Sequence, residues 1–126
     1  MIKKRKPLFE LKSFSSICSE LTVNNVKWLL LSFYRKPYGS NIDLFFTELF
    51  TFMNLATSAY DNIIIMGDIN IDNDDLYSSD FRKLSDFCDI FSLKNLVKDK
   101  TCFTYNNQSS IDVILTNKMY SLLVMN

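Results

Sequence analysis

Histidine is absent from this 126-residue chain, which also has only two glycines and two prolines. The lack of histidine excludes Ser-His-Asp and Cys-His catalysis and any histidine-ligated zinc site within the sequence. The scarcity of glycine and proline excludes collagen-like, low-complexity and loop-dominated chains. The remaining composition, 48% hydrophobic and 22% charged residues, is typical of a single globular domain with its own core.

The three cysteines, Cys18, Cys88 and Cys102, are widely spaced and form no Cys-x-x-Cys pair. A zinc ribbon and a thioredoxin motif are therefore excluded, and reduced thiols in the core of an intracellular protein are expected. No apolar run approaches the roughly 20 residues of a membrane span. Pro7 and Glu10 interrupt the N-terminal region, so neither a signal peptide nor a membrane partner is expected.

The formal net charge is zero, but the charges are unevenly distributed. Residues 1–60 contain eight basic and four acidic side chains, whereas residues 61–126 contain six and ten. The basic run at residues 3–6 fits a solvated charge run, a nuclear localisation signal or a phosphate-contacting arm. Six aspartates and no basic residue lie between Asp61 and Asp80, and such a cluster repels itself unless solvent or a cation relieves it.

Hydrophobic periodicity predicts the first half of the fold. Residues 17–23 alternate, with Ile17, Leu21 and Val23 on the side predicted to be half-buried, and residues 26–34 form a longer β-rich run. Asn24-Asn25 between them predicts a hairpin turn, because asparagine tolerates positive φ. Apolar residues at helical spacing then predict a helix from residue 41 or 42 to about residue 60.

The second half of the chain continues the alternation of strands and helices. Residues 63–66 form the apolar run of a central strand, and residues 78–91 are predicted to be helical. Two further strands are predicted over residues 101–105 and 111–116, separated by a polar turn at residues 106–110. The order β-β-α-β-α-β-β predicts an α/β domain with a mixed sheet. We expect a basic N-terminal segment over residues 1–16 and a single domain over residues 17–126.

An oxygen-rich motif, Gly67-Asp68-Ile69-Asn70, follows the central strand. In α/β folds ligands gather beyond the carboxyl ends of strands. In an extended chain Asp68 and Asn70 would point to one side, where they could hold a hard cation and orient a phosphate or a water. A polar turn in which Asp68 accepts hydrogen bonds from backbone amides fits the pattern equally well.

The same motif partly matches a calcium-binding EF-hand, with Asp68, Asn70 and Asp72 at its first ligand positions. Asn73 stands where that loop needs glycine, and Ser79 stands where it needs a bidentate glutamate. An EF-hand is therefore not expected.

Two other segments contain candidate site residues. Asp112 interrupts an apolar strand and needs a partner, which a neighbouring serine, a metal or a proton-transfer site would provide. Tyr34 and Arg35 end the second strand of the hairpin, and a phenol beside cations suits a loop that faces phosphate. An ordinary exposed loop is the alternative for this pair.

Taken in order, these segments resemble a known family. The residues that carry the resemblance are Ser32-Phe33-Tyr34-Arg35-Lys36-Pro37, Gly67-Asp68-Ile69-Asn70 and Ser110-Ile111-Asp112-Val113-Ile114-Leu115-Thr116-Asn117. The sequence resembles the endonuclease/exonuclease/phosphatase superfamily, and more narrowly the apurinic-type endonuclease domain of non-LTR (LINE, jockey-like) retrotransposon reverse transcriptase polyproteins. The resemblance implies a partial four-layer α/β sandwich of the DNase I-like type. It also implies Mg²⁺-dependent hydrolysis of DNA phosphodiesters in the nucleus, with DNA bound through its phosphate backbone.

The resemblance also implies a role for each matching residue. Tyr34 matches a phosphate-contacting tyrosine, and Asn70 matches the asparagine that binds the scissile phosphate. Arg35, beside Tyr34, is expected to bind substrate as well. Asp68 matches the aspartate that aligns or activates the attacking water, and Asp112 matches the aspartate that supports the catalytic histidine. Asp68 and Asp112 would together hold Mg²⁺ or Mn²⁺, weakly.

The sequence departs from the family at two places. The family's asparagine and glutamate metal ligands cannot be placed, and its final Ser-Asp-His segment has no counterpart because the chain has no histidine. We therefore expect the middle and later portion of such a domain, cut at both ends, with little or no activity. Its expected partner is the rest of the domain or a second copy. The alternative is a non-catalytic nucleic-acid or protein interaction module whose acidic loop binds a cation.

Overall fold

The computed structural model describes residues 2–4, 14–35, 41–71, 77–97, 102–104, 107–109 and 112–118. Within these residues the chain forms eight strands and two helices. In chain order they are β1 (Ile2–Lys4), β2 (Ser15–Val23), β3 (Val26–Tyr34), α1 (Ile42–Ala59), β4 (Asn62–Asp68), α2 (Ser79–Ile90), β5 (Lys94–Asn95), β6 (Cys102–Thr104), β7 (Asn107–Ser109) and β8 (Asp112–Thr116).

The described strands form one larger sheet and one hairpin. The larger sheet has six strands in the order β1-β2-β3-β4-β8-β5, and β6 and β7 pair separately. β3 and β4 are parallel, and the other neighbouring pairs are antiparallel. The fold is therefore the α/β arrangement with a mixed sheet that the sequence predicted.

The β2–β3 hairpin has the predicted two-residue turn. Val23 pairs with Val26, and the residues between them, Asn24 and Asn25, have φ angles of 52° and 66°. Positive φ at both central residues is the geometry that matches the right-handed twist of the flanking strands, and asparagine adopts it at low cost. This local signal fixes the register of the whole hairpin.

The buried face of β2 is the opposite of the predicted one. Cys18 and Glu20 are buried, whereas Ile17 is 57% exposed. Cys18 and Glu20 pair with Leu31 and Leu29 of β3, and paired residues share a face of the sheet. Because both leucines belong to the core beneath the helices, their partners on β2 point to that core as well.

A hydrogen bond accounts for the carboxylate on this buried face. Tyr60, the C-cap residue of α1, donates from Oη to Oε1 of Glu20 at 2.6 Å, and both residues are buried. A buried carboxylate needs such a donor, because desolvation without one is costly. Glu20 therefore joins β2 to the end of α1.

Both helices begin at polar caps that the sequence marks. The Oδ1 atom of Asn41 accepts from the backbone amides of Asp43 and Leu44, at 3.0 and 3.2 Å. Ser78 caps α2 by accepting from the amide of Phe81 at 3.0 Å. These caps satisfy amides that have no partner within the helix. Neither helix of the described residues is long and apolar enough to cross a membrane.

Among the described residues, one hydrophobic core lies between the two helices and one face of the sheet. Its central members from the helices are Phe45, Leu49, Phe52, Met53, Ala56, Leu84 and Phe87, and those from the strands are Leu29, Leu31, Phe33, Ile63, Ile65, Val113 and Leu115. The helices therefore cover one side of the sheet, and the alternate residues of each strand point to the other side.

Three short strands were not predicted. β1 lies in the expected basic N-terminal segment and pairs with residues 19–21 of β2 at the sheet edge, and β5 pairs with β8. β7 corrects the predicted polar turn at residues 106–110, because residues 107–109 pair with β6. Asparagine, glutamine and serine carry little strand signal, but backbone pairing with a neighbouring strand can override that preference.

Candidate active site

Three predicted site residues lie in one row across neighbouring strands. Tyr34 of β3 pairs with Asp68 of β4, and Asp68 pairs with Asp112 of β8. Paired residues point to the same side of a sheet, so the phenol and both carboxylates share a face. Phe33 and Val113, the adjacent residues, belong to the core beneath the helices. The row therefore lies on the side turned away from the helices, where Tyr34 is 46% exposed.

Gly67 brings β3 and β4 close together just before the row. Its φ angle is 152°, which side chains rarely adopt. A Cβ atom at this position would lie 2.0 Å from the carbonyl oxygen of Phe33. Glycine is therefore required here by both the backbone conformation and the contact with the neighbouring strand.

The chain turns immediately after the row. β4 ends at Asp68, and Asn70 has a φ angle of 55°, so the backbone after the strand does not follow the extended path assumed in the sequence analysis. The backbone amide of Asn70 instead donates to Oδ1 of Asp68 at 3.1 Å. This is the polar turn that the sequence offered as the alternative. Ile69 and Ile71 are buried and anchor the turn to the core.

Arg35 packs against this turn from the end of β3. Its backbone amide donates to the carbonyl of Asp68 at 2.9 Å, and its Nη1 donates to the carbonyl of Ile69 at 3.0 Å. The side-chain amide of Asn70 donates to the carbonyl of Arg35. The guanidinium lies 5.6 Å from the ring centre of Phe45, and the residue is only 6% exposed. The predicted substrate-binding arginine is thus placed in the interior.

The carboxylate pair has a distinct electrostatic environment. Burial raises the pKa of Asp68, the facing carboxylate of Asp112 raises it further, and the hydrogen bond from the Asn70 amide opposes both. Like charges directly opposite each other in a sheet are destabilising. A cation between them would relieve that repulsion.

The pair fits a divalent cation that is held by few protein ligands. Carboxylate oxygens are the hard ligands that Mg²⁺ prefers, and it commonly uses one or two of them together with waters. The described residues contain no group of three or more Cys, Asp or Glu side chains that could hold a metal. Glu20 cannot add a ligand, since its partner Leu29 is five positions, or about 17 Å, along β3 from Tyr34. Residues 72–76, with most of the predicted acidic loop, lie outside the described residues.

A separate groove lies between α1 and α2, on the helical side of the molecule. It encloses about 470 Å³ and none of the predicted site residues lines it. Its apolar walls include Phe50 and Ile90, which are 40% and 60% exposed, and a salt bridge of 3.0 Å joins Lys83 to Asp43 at its lining. Apart from apolar residues at the margin of each helical stripe, no sequence feature predicts this groove.

Comparison with known proteins identifies the family. The model of the endonuclease-reverse transcriptase family matches residues 28–125, so the chain belongs to that family. The matched region contains β4, β8 and most of β3, the strands that position Asp68, Asp112 and Tyr34. A sequence search of the curated proteins finds no match.

Solved structures show the same fold at low sequence identity. The endonuclease domain of TRAS1, a telomere-specific non-LTR retrotransposon, superposes with a TM-score of 0.74 at 14% identity over 98% of this chain. The human Nocturnin catalytic domain gives 0.58 at 13% identity over 94% of this chain and 46% of its own. A Bacteroides thetaiotaomicron mannosyl-6-phosphatase gives 0.55 at 16% over 80% of this chain and 42% of its own.

These likenesses establish a DNase I-like α/β fold of the endonuclease/exonuclease/phosphatase type. The chain spans 58% of the TRAS1 endonuclease domain, so it corresponds to part of that domain. The predicted family resemblance and fold class are therefore confirmed.

Proposed function

We propose that this chain is part of a metal-dependent DNA endonuclease domain of a non-LTR retrotransposon. The observation that carries the proposal is the row formed by Tyr34, Asp68 and Asp112, with Asn70 directly beyond it. The row and Asn70 together bring a phenol, an amide and two carboxylates to one end of these strands. Such groups are suitable for phosphodiester hydrolysis. The family and the fold support this reading of the row.

Each side chain has a chemical role that its position supports. Asp68 aligns or activates the attacking water through its carboxylate oxygens. Tyr34, which is half exposed beside it, donates a hydrogen bond to a phosphate oxygen. Asn70 donates one amide hydrogen to Arg35 and keeps a second for the scissile phosphate.

Asp68 and Asp112 are the residues that would hold Mg²⁺ or Mn²⁺. When bound there, the ion supplies Lewis-acid polarisation of the phosphate. Mn²⁺ is expected to bind better than Mg²⁺ because it is the softer ion, with more tolerant geometry.

The chain by itself is expected to cleave slowly. It has no histidine, so no side chain of that type is available to titrate near neutral pH. Removing one group that stabilises the transition state commonly costs about 10²–10³-fold in rate. Its proposed partners are DNA, contacted through phosphates in the nucleus, and the remainder of an endonuclease domain.

Nicking of supercoiled plasmid tests the function. The chain is incubated with plasmid in Mg²⁺ and in Mn²⁺, beside the Asp68→Ala, Asn70→Ala and Asp112→Ala variants. Asp86→Ala, an exposed carboxylate of α2, is the matched control. The proposal expects slow nicking that the three site variants abolish and the control retains.

Two outcomes would contradict the proposal. Nicking that survives Asp68→Ala would place the chemistry elsewhere or in a contaminant. Plasmid binding without nicking in either metal would favour the alternative, a non-catalytic nucleic-acid module.

A further inference from the structure

We propose that Arg35 is a positioning residue that holds Asn70 and the carboxylate of Asp68 for the phosphate, and does not itself contact DNA. This inference rests on the proposed function of the site and assigns a role to the residue that follows Tyr34. Arg35 is the first residue after β3, and it lies against the turn that follows β4.

One peptide group links Arg35 to the site. The guanidinium donates to the carbonyl of Ile69, and the amide in the same peptide unit, that of Asn70, donates to Oδ1 of Asp68. A trans peptide is rigid and planar, with its carbonyl and amide pointing in opposite directions. Fixing the carbonyl therefore fixes the amide that orients the Asp68 carboxylate.

Two further hydrogen bonds join Arg35 to the same turn, one between backbone groups and one from the Asn70 side chain. The amide of Arg35 donates to the carbonyl of Asp68, and the Asn70 side chain donates to the carbonyl of Arg35. Asn70 also has a positive φ, a conformation that persists where the surroundings hold it. Of these hydrogen bonds, only the one from the guanidinium depends on the side chain at position 35. Substituting Arg35 therefore removes that bond and leaves the backbone donor and acceptor of residue 35 in place.

The burial of this charge argues for a directed role. Arg35 is 6% exposed and lies over the ring of Phe45, and among the described residues its Nε has no hydrogen-bond partner. Burial lowers the pKa of the guanidinium, and the negative charge of Asp80 acts in the opposite direction. An apolar side chain would fill the same space without desolvating a charge. Because so little of Arg35 is exposed, its guanidinium is poorly placed to bind a phosphate.

A double-mutant cycle in DNA binding tests the proposal. Binding of a short duplex oligonucleotide in Ca²⁺ is measured over a series of salt concentrations. The proteins are the wild-type chain, Arg35→Gln, Asn70→Ala, the double variant, and Arg82→Gln as an exposed control on α2. If Arg35 acts through Asn70, Arg35→Gln weakens binding about tenfold in the wild-type background. In the Asn70→Ala background it has a smaller effect, because the Asn70 side chain is gone and only the link through the backbone amide of residue 70 to Asp68 remains.

Direct contact with phosphate gives the opposite pattern. Arg35→Gln would then weaken binding equally in both backgrounds and would lower the salt slope by about 1. A purely structural role would lower the midpoint of urea unfolding and leave the affinity of the folded chain unchanged. Either result overturns the proposal, and Arg82→Gln is expected to match the wild type in affinity.

An NMR measurement keeps the test independent of DNA binding. If the wild-type chain binds no DNA, the proposed function fails, but the position of Asn70 is still reported by its side-chain amide signals. Arg35→Lys keeps the charge and loses the planar fork, and it is expected to shift the Asn70 amide signals. Unchanged Asn70 signals in this variant would overturn the positioning role. Should the variant not fold, the wild-type chain is measured instead. Its Arg35 guanidinium hydrogens are expected to exchange slowly, and their signals to stay unchanged when the oligonucleotide is added. Fast exchange, or signals that shift with the oligonucleotide, would overturn the proposal.

Discussion

Asp68 and Asp112 lie directly opposite each other where β4 and β8 pair in antiparallel register. Their carboxylates face the same side of the sheet, and the pKa of Asp68 is raised by burial first and by Asp112 second. Asp68→Asn removes one charge from this pair and keeps an oxygen that can accept from the Asn70 amide. We expect the variant to be more stable than the wild type at pH 7, by a few tenths of a kcal/mol to about 1.

The difference in stability between Asp68→Asn and the wild type depends on pH, and the raised pKa of Asp68 sets its direction. An acid whose pKa is raised on folding holds its proton more tightly in the folded state. The wild type therefore loses stability relative to Asp68→Asn as the pH rises from the ordinary aspartate value of 3.8 through the raised one. Urea unfolding of the wild type and Asp68→Asn between pH 4 and pH 7, with Asp86→Asn as control, measures the stability difference. A difference that is independent of pH, or that grows toward low pH, would contradict the assignment.

Gly67→Ala tests the close approach of β3 and β4 beside the site. The added methyl group would meet the carbonyl of Phe33 at 2.0 Å, in a backbone conformation with φ of 152°. Backbone carbonyls cannot move aside as a flexible side chain can, so a loss of about 2 kcal/mol or more in unfolding free energy is expected. Ser32→Ala, on the same strand as Phe33, should change stability far less. A Gly67→Ala protein as stable as the wild type would show that the strands are spaced differently.

Tyr60→Phe tests the buried contact between β2 and the end of α1. The substitution removes the Oη donor that lies 2.6 Å from Oε1 of Glu20 and leaves the ring in place. Hydrogen bonds to charged groups contribute about 1.5–3 kcal/mol, so a loss in that range is expected from urea unfolding. Glu20→Gln keeps an acceptor oxygen and should cost less. Equal stability of Tyr60→Phe and the wild type would mean that the pair does not stabilise the fold.

Asn41→Ala tests the start of α1. The variant loses the oxygen that accepts from the amides of Asp43 and Leu44, and helix caps of this kind contribute about 1 kcal/mol. Asn41→Ser, which keeps a capping oxygen, should recover most of the stability. Thermal unfolding of the three proteins measures the effect, and identical midpoints for Ala and Ser would exclude capping by residue 41.

Local signals made the hairpin turn and the helix starts predictable. Asn24-Asn25 between two β-rich runs defines a turn by itself, and Asn41 and Ser78 precede apolar residues at helical spacing. The buried face of β2 was predicted wrongly because alternation alone does not say which side has a partner. Glu20 faces the core only because Tyr60, 40 residues later, supplies a donor there.

The candidate site was predictable as a set of residues but not as a geometry. Motif order singled out Tyr34, Asp68, Asn70 and Asp112, yet their alignment depends on pairing between strands that are far apart in sequence. Arg35 was predicted to bind substrate because a phenol beside cations suits a loop that faces phosphate. Its burial is a tertiary effect, set by the turn at Ile69 and the ring of Phe45.

The central claim is that Asp68 and Asp112 hold a divalent cation beside Tyr34. A ¹⁵N NMR titration of the chain with Mn²⁺ tests it most directly, because the paramagnetic ion broadens the signals of nearby residues. We expect weak binding, at about millimolar concentrations since few charged ligands are present, with broadening centred on residues 67–70 and 112–113 and at Tyr34. Asp112→Asn should reduce this broadening. Broadening centred on residues 80–89 of α2 instead, or unchanged by substitution of Asp68 and Asp112, would contradict the claim.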